Sequence, residues 1–170
     1  FSAMFRKMFG GENFFLGKYS HENGGTLTFA PSIPGAVEHY NLSNNRLNIM
    51  AGSFLACTPG INIKAKFGGL KALFSGEGAF LLEASGNGDL FFNSFGGIIE
   101  KEINGEFIVD TGHVVGFEPT LSYKISGMGN WKSTMLSGEG LVMTFNGTGK
   151  IYLQTRTIDG IASWLTPRLI

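Results

Sequence analysis

Short apolar runs separated by glycine-rich stretches recur along the whole chain, and this pattern predicts β-strands joined by tight turns. Three segments begin alike, with "GENFFL" (11–16), "GEGAFLL" (76–82) and "GEGLVM" (138–143). A glycine-rich turn and a second apolar run follow each of them. Because glycine readily adopts the positive φ that such turns need, each segment is predicted to form a β-hairpin.

A second similarity lies between these hairpins. The segment "GSFLACTPGINIKAKF" (52–67) matches "GHVVGFEPTLSYKISG" (112–127) at a constant offset of 60 residues. The alternation of Ile61, Ile63 and Ala65 indicates one buried strand face, and the second copy has the same alternation. The repeating unit is therefore predicted to be a hairpin followed by a longer pair of strands.

The three hairpins and two strand pairs predict an all-β fold of tandem repeats within one compact structural unit. The first repeat is assigned to residues 1–72, with its following strand pair included and its front half missing. The second repeat is assigned to residues 73–134, and the third hairpin and a C-terminal helix to residues 135–170.

Both ends of the chain carry apolar residues at helical spacing, which predicts short terminal helices. These residues are Phe1, Met4, Phe5 and Met8 at the first end and Ile158, Ile161, Trp164 and Leu165 at the second. We expect the first helix to present an exposed or oligomer-facing surface and the second, which Pro167 ends, to pack on the β-core. A peripheral membrane contact through these helices is the alternative.

Composition narrows the functional classes. Thirteen basic residues balance thirteen acidic ones, so the chain has no overall field that would attract nucleic acid or an anionic membrane. Cys57 is the only cysteine, so no internal disulfide can form, and a reducing compartment is indicated. No apolar stretch approaches the roughly 18 residues needed to span a bilayer.

The repeated Gly-Glu-Gly motif places Glu12, Glu77 and Glu139 at corresponding positions. Three acids near a common axis could bind a cation. A catalytic residue is needed only once, however, whereas a corner of the fold is needed in every copy. We therefore interpret these glutamates as turn residues whose carboxylates accept backbone N–H bonds.

A second candidate site is "DTGHVVGFEP", where His113 and Glu118 resemble part of the metal site of cupins. The second histidine of such a site is replaced by Val115, and His21 and His39 lie in other segments. Because a metal needs three or four converging ligands, we expect no metal here. We expect His113 to donate to a backbone carbonyl at a turn that Asp110 and Thr111 cap.

Other chemistry is not indicated. Cys57 lies in an apolar context, where a buried cysteine acts as a small hydrophobe. The short basic stretch "KAKFGGLK" (64–71) is interpreted as a solvated strand edge, and the four arginines form no basic stripe. We therefore predict no catalytic residue and no cofactor.

The stretches "SGEGAFLLEASGNGDLFF", "IVDTGHVVGFEPTLSYKI" and "SGEGLVMTFNGTGKIYLQT" resemble the mitochondrial biogenesis family (altered inheritance of mitochondria, type 24). The resemblance runs from about residue 7 to residue 156. It implies a tryptophan RNA-binding attenuator-like (TRAP-like) fold. In that fold three small β-sandwich or double-stranded β-helix domains pack around a pseudo-threefold axis. It also implies a bacterial cytoplasmic protein, or a mitochondrial one in eukaryotes.

Three functions follow from this interpretation. We favour a non-catalytic oligomeric scaffold or interaction protein, as a homodimer or homotrimer with a protein partner as a further option. The first alternative is a module that binds a small ligand or RNA in grooves between repeats, although the charge balance argues against nucleic acid. The second alternative is a cupin-like metal enzyme around His113.

Overall fold

The computed structural model describes residues 3–9, 12–67, 80–127 and 141–169. The chain divides into two compact units, residues 1–30 and residues 31–170. The repeat boundaries assigned from the sequence remain a prediction, as does a pseudo-threefold, TRAP-like arrangement.

In the first unit, β1 (Ala3–Phe9) pairs antiparallel with β2 (Glu12–Lys18). The prediction of an N-terminal helix is therefore wrong. An isolated helix of this length is marginal in water, whereas pairing with β2 gives the backbone hydrogen-bond partners. The predicted first hairpin is wrong as well, because residues 24–30 form no strand and β2 pairs with the strand before it.

The second unit is built on an eight-stranded antiparallel sheet with strand order β4-β6-β3-β8-β10-β7, in which β5 also pairs with β6 and β9 with β10. The strands are β3 (Val37–Met50), β4 (Phe54–Cys57), β5 (Ile61–Phe67), β6 (Phe80–Asn93), β7 (Ile98–Asp110), β8 (Val114–Phe117), β9 (Ser122–Gly127) and β10 (Leu141–Gln154).

The sheet consists of two halves with the same pairing plan. In the first half β6 pairs with β3, β4 and β5, and in the second half β10 pairs with β7, β8 and β9. The segments that match at an offset of 60 residues therefore occupy equivalent places. One difference is a bulge in β3, where Asn44 adopts a φ of 55° and adds one residue relative to β7.

The glycine-rich stretches of β6 and β10 do not form the predicted turns, because each strand runs through its glycines without reversing. A Cβ on Gly86 would lie 2.3 Å from the carbonyl oxygen of Gly60, and one on Gly147 would lie 2.9 Å from that of Thr120. The corner before β5 or β9 thus lies against the middle of the long strand. Glycine is needed there for close approach and for a φ of 124° or 128°.

The apolar core of this unit draws on both halves. Its largest fully buried side chains include Leu42, Leu47, Ile49, Leu82, Leu90, Phe92, Phe117, Phe145 and Ile151. Leu81 of β6 packs in one cluster with Phe117 and Phe145 of the second half, and those two rings meet edge to face with centroids 5.0 Å apart. Each such side chain contributes roughly 1.5–3 kcal/mol on burial, so the two halves fold as one sheet.

The predicted C-terminal helix is confirmed as α1 (Ile158–Leu165), followed by a 3-10 turn at Thr166–Arg168. Thr157 caps it by accepting a hydrogen bond from the backbone N–H of Gly160. The expectation that α1 packs on the core is wrong, because none of its residues is buried, and Ile158 and Trp164 are 62% and 58% exposed. In the described part of the chain, no helix is long and apolar enough to cross a bilayer.

Candidate functional site

His113 ends the 3-10 turn Thr111–His113, just before β8. Its Nδ1 lies 2.7 Å from the carbonyl oxygen of Gln154 and therefore carries the proton. Asp110 Oδ1 accepts from the backbone N–H of Gly112 at 2.7 Å, and Thr111 Oγ1 donates to the carbonyl of Leu141 at 2.7 Å. The predicted turn roles of His113 and Asp110 are confirmed, whereas Thr111 bonds to the start of β10 and does not cap the turn.

Glu118 lies at the opposite end of β8 from His113. Its Oε2 accepts from the backbone N–H of Lys150 at 2.9 Å, and the four residues of β8 separate Glu118 from the histidine, a span of about 16 Å. The cupin-like alternative would need these two side chains to converge, and they do not. In residues 3–9, 12–67, 80–127 and 141–169, no three His, Cys, Asp or Glu side chains are grouped to hold a metal ion.

The repeated glutamates fall mostly outside the described residues. This is so for Glu77 and Glu139, and Glu12 begins β2 without a described side chain. Their interpretation as turn residues stays a prediction.

The remaining histidines make local contacts. His21 Nδ1 accepts from the backbone N–H of Asn23 at 3.3 Å. On the sheet, His39 Nε2 lies 2.8 Å from Asp89 Oδ1 and its ring stacks on Phe91. Within the described part of the second unit, His39 shares no hydrogen-bond partner with His113.

Cys57 lies on β4 and is half-buried. Burial raises the pKa of its thiol, so little nucleophilic thiolate is present at neutral pH. This agrees with the interpretation of Cys57 as a small hydrophobe.

The predicted basic edge is partly neutralised. Lys66 forms an ion pair with Glu83, a buried carboxylate that also lies 3.6 Å from Arg46 Nη1. Lys64 is exposed, and residues 68–71 lie outside the described part of the chain. The described portion of this stretch is therefore part of an ion-paired sheet face.

The two halves meet at a joint that no sequence motif indicated. Here β3 pairs with β8, with Asn48 opposite Phe117 and Ile49 opposite Gly116. The backbones are so close that a Cβ on Gly116 would lie 2.9 Å from the carbonyl oxygen of Asn48. Asn48 is only 6% exposed, and its Oδ1 has no hydrogen-bond partner among the described residues. The joint is thus tightly packed.

This joint is not symmetric. Its two strands have counterparts in the opposite halves: β7 corresponds to β3, and β4 corresponds to β8. A two-fold joint would also pair β7 with β4, but these two strands are the two ends of the sheet order. The halves are therefore joined head to tail.

Comparison with known proteins places the chain in a family. The profile of the family described as Mitochondrial biogenesis AIM24 matches residues 1–156. The chain belongs to this family.

Two relatives of this AIM24 family member are bacterial. An uncharacterized protein of Streptococcus pyogenes serotype M6 is 32% identical over 166 residues, which cover 96% of this chain and 67% of the relative. A crystal structure of a Streptococcus pyogenes protein, from the Northeast Structural Genomics Consortium, has a TM-score of 0.72 and 30% identity. That match covers 82% of this chain and spans 62% of the solved chain.

This AIM24 family member also contains a polar cluster that sequence reasoning missed. Tyr152 is buried, and its pKa is raised by burial first and by Glu100 second. Lys150 Nζ lies 2.7 Å from Glu100 Oε1, and the Tyr40 ring meets that of Tyr152 edge to face at 6.2 Å. A phenol with a raised pKa stays protonated, so Tyr152 itself is not a general base at neutral pH. Tyr40 and Tyr152 are too far apart in sequence for spacing to have indicated the contact.

Proposed function

We propose that this chain is a non-catalytic assembly module whose copies join head to tail, with β7 of one copy pairing with β4 of the next. The observation that supports the proposal is the joint between β3 and β8. Within the described residues the sheet order ends in β7 and β4, the counterparts of the two strands that already pair. A second copy therefore supplies β4 as a partner for β7, and β7 as a partner for β4.

Equivalence between the halves fixes the register of this contact. In the second half, Ile108 of β7 pairs with Thr144 of β10. In the first half, Asn48 of β3 pairs with Glu83 of β6 at the equivalent place. Ile108 therefore corresponds to Asn48. By the same comparison, Cys57 of β4 corresponds to Phe117 of β8. The proposed joint therefore places Ile108 of one copy opposite Cys57 of the next.

The exposure of the edge supports this pairing. Asn48 in the internal joint is 6% exposed, whereas Ile108 at the corresponding place is 57% exposed. A long edge strand with exposed apolar side chains promotes pairing with another chain. Covering the exposed half of Ile108 would contribute about 1 kcal/mol.

The second joint differs from the internal one at one position, since Ala56 stands where Gly116 stands. A Cβ at Gly116 would lie 2.9 Å from a carbonyl oxygen, whereas ordinary contact begins at 3.4 Å. The strands must therefore separate by about half an ångström at this point. This makes the contact between copies weaker than the contact within a chain, as a reversible assembly requires.

A disulfide cross-link tests the register. A Cys57→Ala, Ile108→Cys variant is mixed with the unaltered chain, whose only thiol is Cys57, and oxidised mildly. Opposite Cα atoms in antiparallel strands lie about 4.5–5.5 Å apart, within disulfide range, so we expect a covalent dimer with one thiol from each partner. A Cys57→Ala, Ile99→Cys variant is the matched control, because Ile99 is similarly exposed on the same strand but out of register.

A mixed dimer from Ile108→Cys but not from Ile99→Cys supports the proposal. Equal cross-linking by both, or none by either, overturns the register. As an independent check, Ala56→Gly should tighten self-association severalfold in analytical ultracentrifugation, since it removes the methyl group that separates the strands. An unchanged or weaker association would contradict the proposed geometry.

A further inference from the structure

A groove of about 440 Å³ lies between the end of β10, the turn before β8 and α1. Its lining residues are His113, Thr155, Arg156, Thr157, Gly160, Ile161 and Trp164. Grooves that hold small molecules commonly measure about 300–1,000 Å³, so there is room for a compact organic ligand.

The charge of the lining favours an anion. Arg156 contributes a guanidinium, and no carboxylate lines the groove. Among the ion pairs of the described residues, none uses Arg156. A free guanidinium binds a carboxylate with two parallel hydrogen bonds.

Two further groups in the lining are fixed and retain hydrogen-bonding capacity. His113 Nδ1 is held by the carbonyl of Gln154 at 2.7 Å, which leaves Nε2 as the ring nitrogen for a ligand. Thr157 Oγ1 accepts from the backbone N–H of Gly160 at 3.1 Å and keeps its own hydroxyl proton to donate.

The rest of the lining is apolar. Ile161 and the exposed indole of Trp164 form the α1 side of the groove. The Arg168 guanidinium lies 4.4 Å from the centre of the indole and helps to hold it in place. An anion that also carries an apolar body fits this combination.

The first half of the sheet shows that the fold does not need these polar residues. The equivalent of His113 is Ser53, and the equivalent of Arg156, two residues beyond the long strand, is Phe95, which is only 8% exposed. At these two backbone positions the first half has a serine and a buried phenylalanine, whereas the second half has a histidine and an arginine.

We propose that this groove binds a small organic carboxylate, with the acid group on Arg156 and His113 and the apolar body against Trp164 and Ile161. The inference does not depend on the assembly proposed above, because neither β4 nor β7 lines the groove.

The test uses phenylacetate as probe and phenylacetamide, its uncharged isostere, as the matched ligand. Binding to the full chain is followed by the NMR shift of the Trp164 indole N–H, assigned with Trp164→Phe. We expect saturable shifts with phenylacetate and at least tenfold weaker binding of the amide. Arg156→Gln should weaken phenylacetate binding about tenfold, and His113→Asn, which keeps a donor for Gln154, should weaken it severalfold.

Arg46→Gln is the control variant, because Arg46 lies on β3 beside Glu83 and does not line the groove, and it should change affinity less than twofold. Equal affinity for acid and amide would overturn recognition of the carboxylate. Binding that Arg156→Gln leaves unchanged would place the probe elsewhere. The absence of a saturable shift up to about 10 mM probe would overturn the site itself.

Discussion

Replacement of Gly86 by alanine tests why the long strands contain glycine. Gly86 has a φ of 124°, and an added Cβ would lie 2.3 Å from the carbonyl oxygen of Gly60. A residue held in such a backbone region costs about 1–3 kcal/mol, and forcing the corner away from the strand costs about 1–3 kcal/mol more. We therefore expect Gly86→Ala to lower the free energy of unfolding by about 4 kcal/mol, measured by urea denaturation.

Alanine substitutions at two other glycines separate the backbone cost of Gly86→Ala from its steric cost. Gly105 has a φ of 107° but nothing within 4 Å of an added Cβ, so Gly105→Ala should show only the backbone cost. Gly52 has an ordinary φ and open space around it, so Gly52→Ala should be close to neutral. If Gly86→Ala destabilises no more than Gly105→Ala, the close approach of Gly60 does not restrict this position and the reasoning is refuted.

Three further predictions concern the joint and two titrating groups. Gly116→Ala puts a methyl group 2.9 Å from the carbonyl of Asn48, so urea denaturation should show a loss of about 1–3 kcal/mol; an unchanged midpoint would mean that the joint is looser than described. Burial raises the pKa of Tyr152 in the folded protein, so the stabilising effect of the protonated phenol is present below pH 10.0 and is lost as the pH rises through the folded-state pKa. Tyr152→Phe should therefore remove the latest step of an alkaline absorbance titration. Hydrogen bonds from His39 and Asn41 lower the pKa of Asp89, so its stabilising effect is present above pH 3.8 and lost as the pH falls through the lower folded value; Asp89→Asn should flatten the acid dependence of the urea midpoint, and an unchanged slope would contradict this.

Much of the second unit could be predicted from alternation. The Ile61, Ile63 face of β5 is buried, and the match at an offset of 60 residues corresponds to strands that hold equivalent places. The glycine-rich stretches were wrongly predicted to be turns, because glycine occurs both in tight turns and where two backbones approach closely. The local sequence does not distinguish these two cases. Only the position of Gly60 over Gly86, a contact across the sheet, decides between the two.

The candidate site was predictable only in part. The turn around His113 followed from Asp110 and Thr111, whose side chains bond within or next to that turn. The partners of His113 in the groove come from the end of β10 and from α1, far along the chain, so no spacing rule relates them. The joint was missed for the same reason, since pairing between β3 and β8 depends on how the two halves meet.

The internal repeat provides a control that a single sequence otherwise lacks. Positions where both halves keep the same residue type, such as the glycines facing the corners, are explained by the shared fold. Both proposed sites lie where the halves differ: Ala56 against Gly116 at the joint, and Phe95 against Arg156 at the groove. Since the two halves share one fold, that fold does not by itself require Ala56 or Arg156. Ala56 and Arg156 are consequently the positions at which substitution should change association or ligand binding more than it changes stability, whereas Gly116 and Phe95 are buried in the second unit.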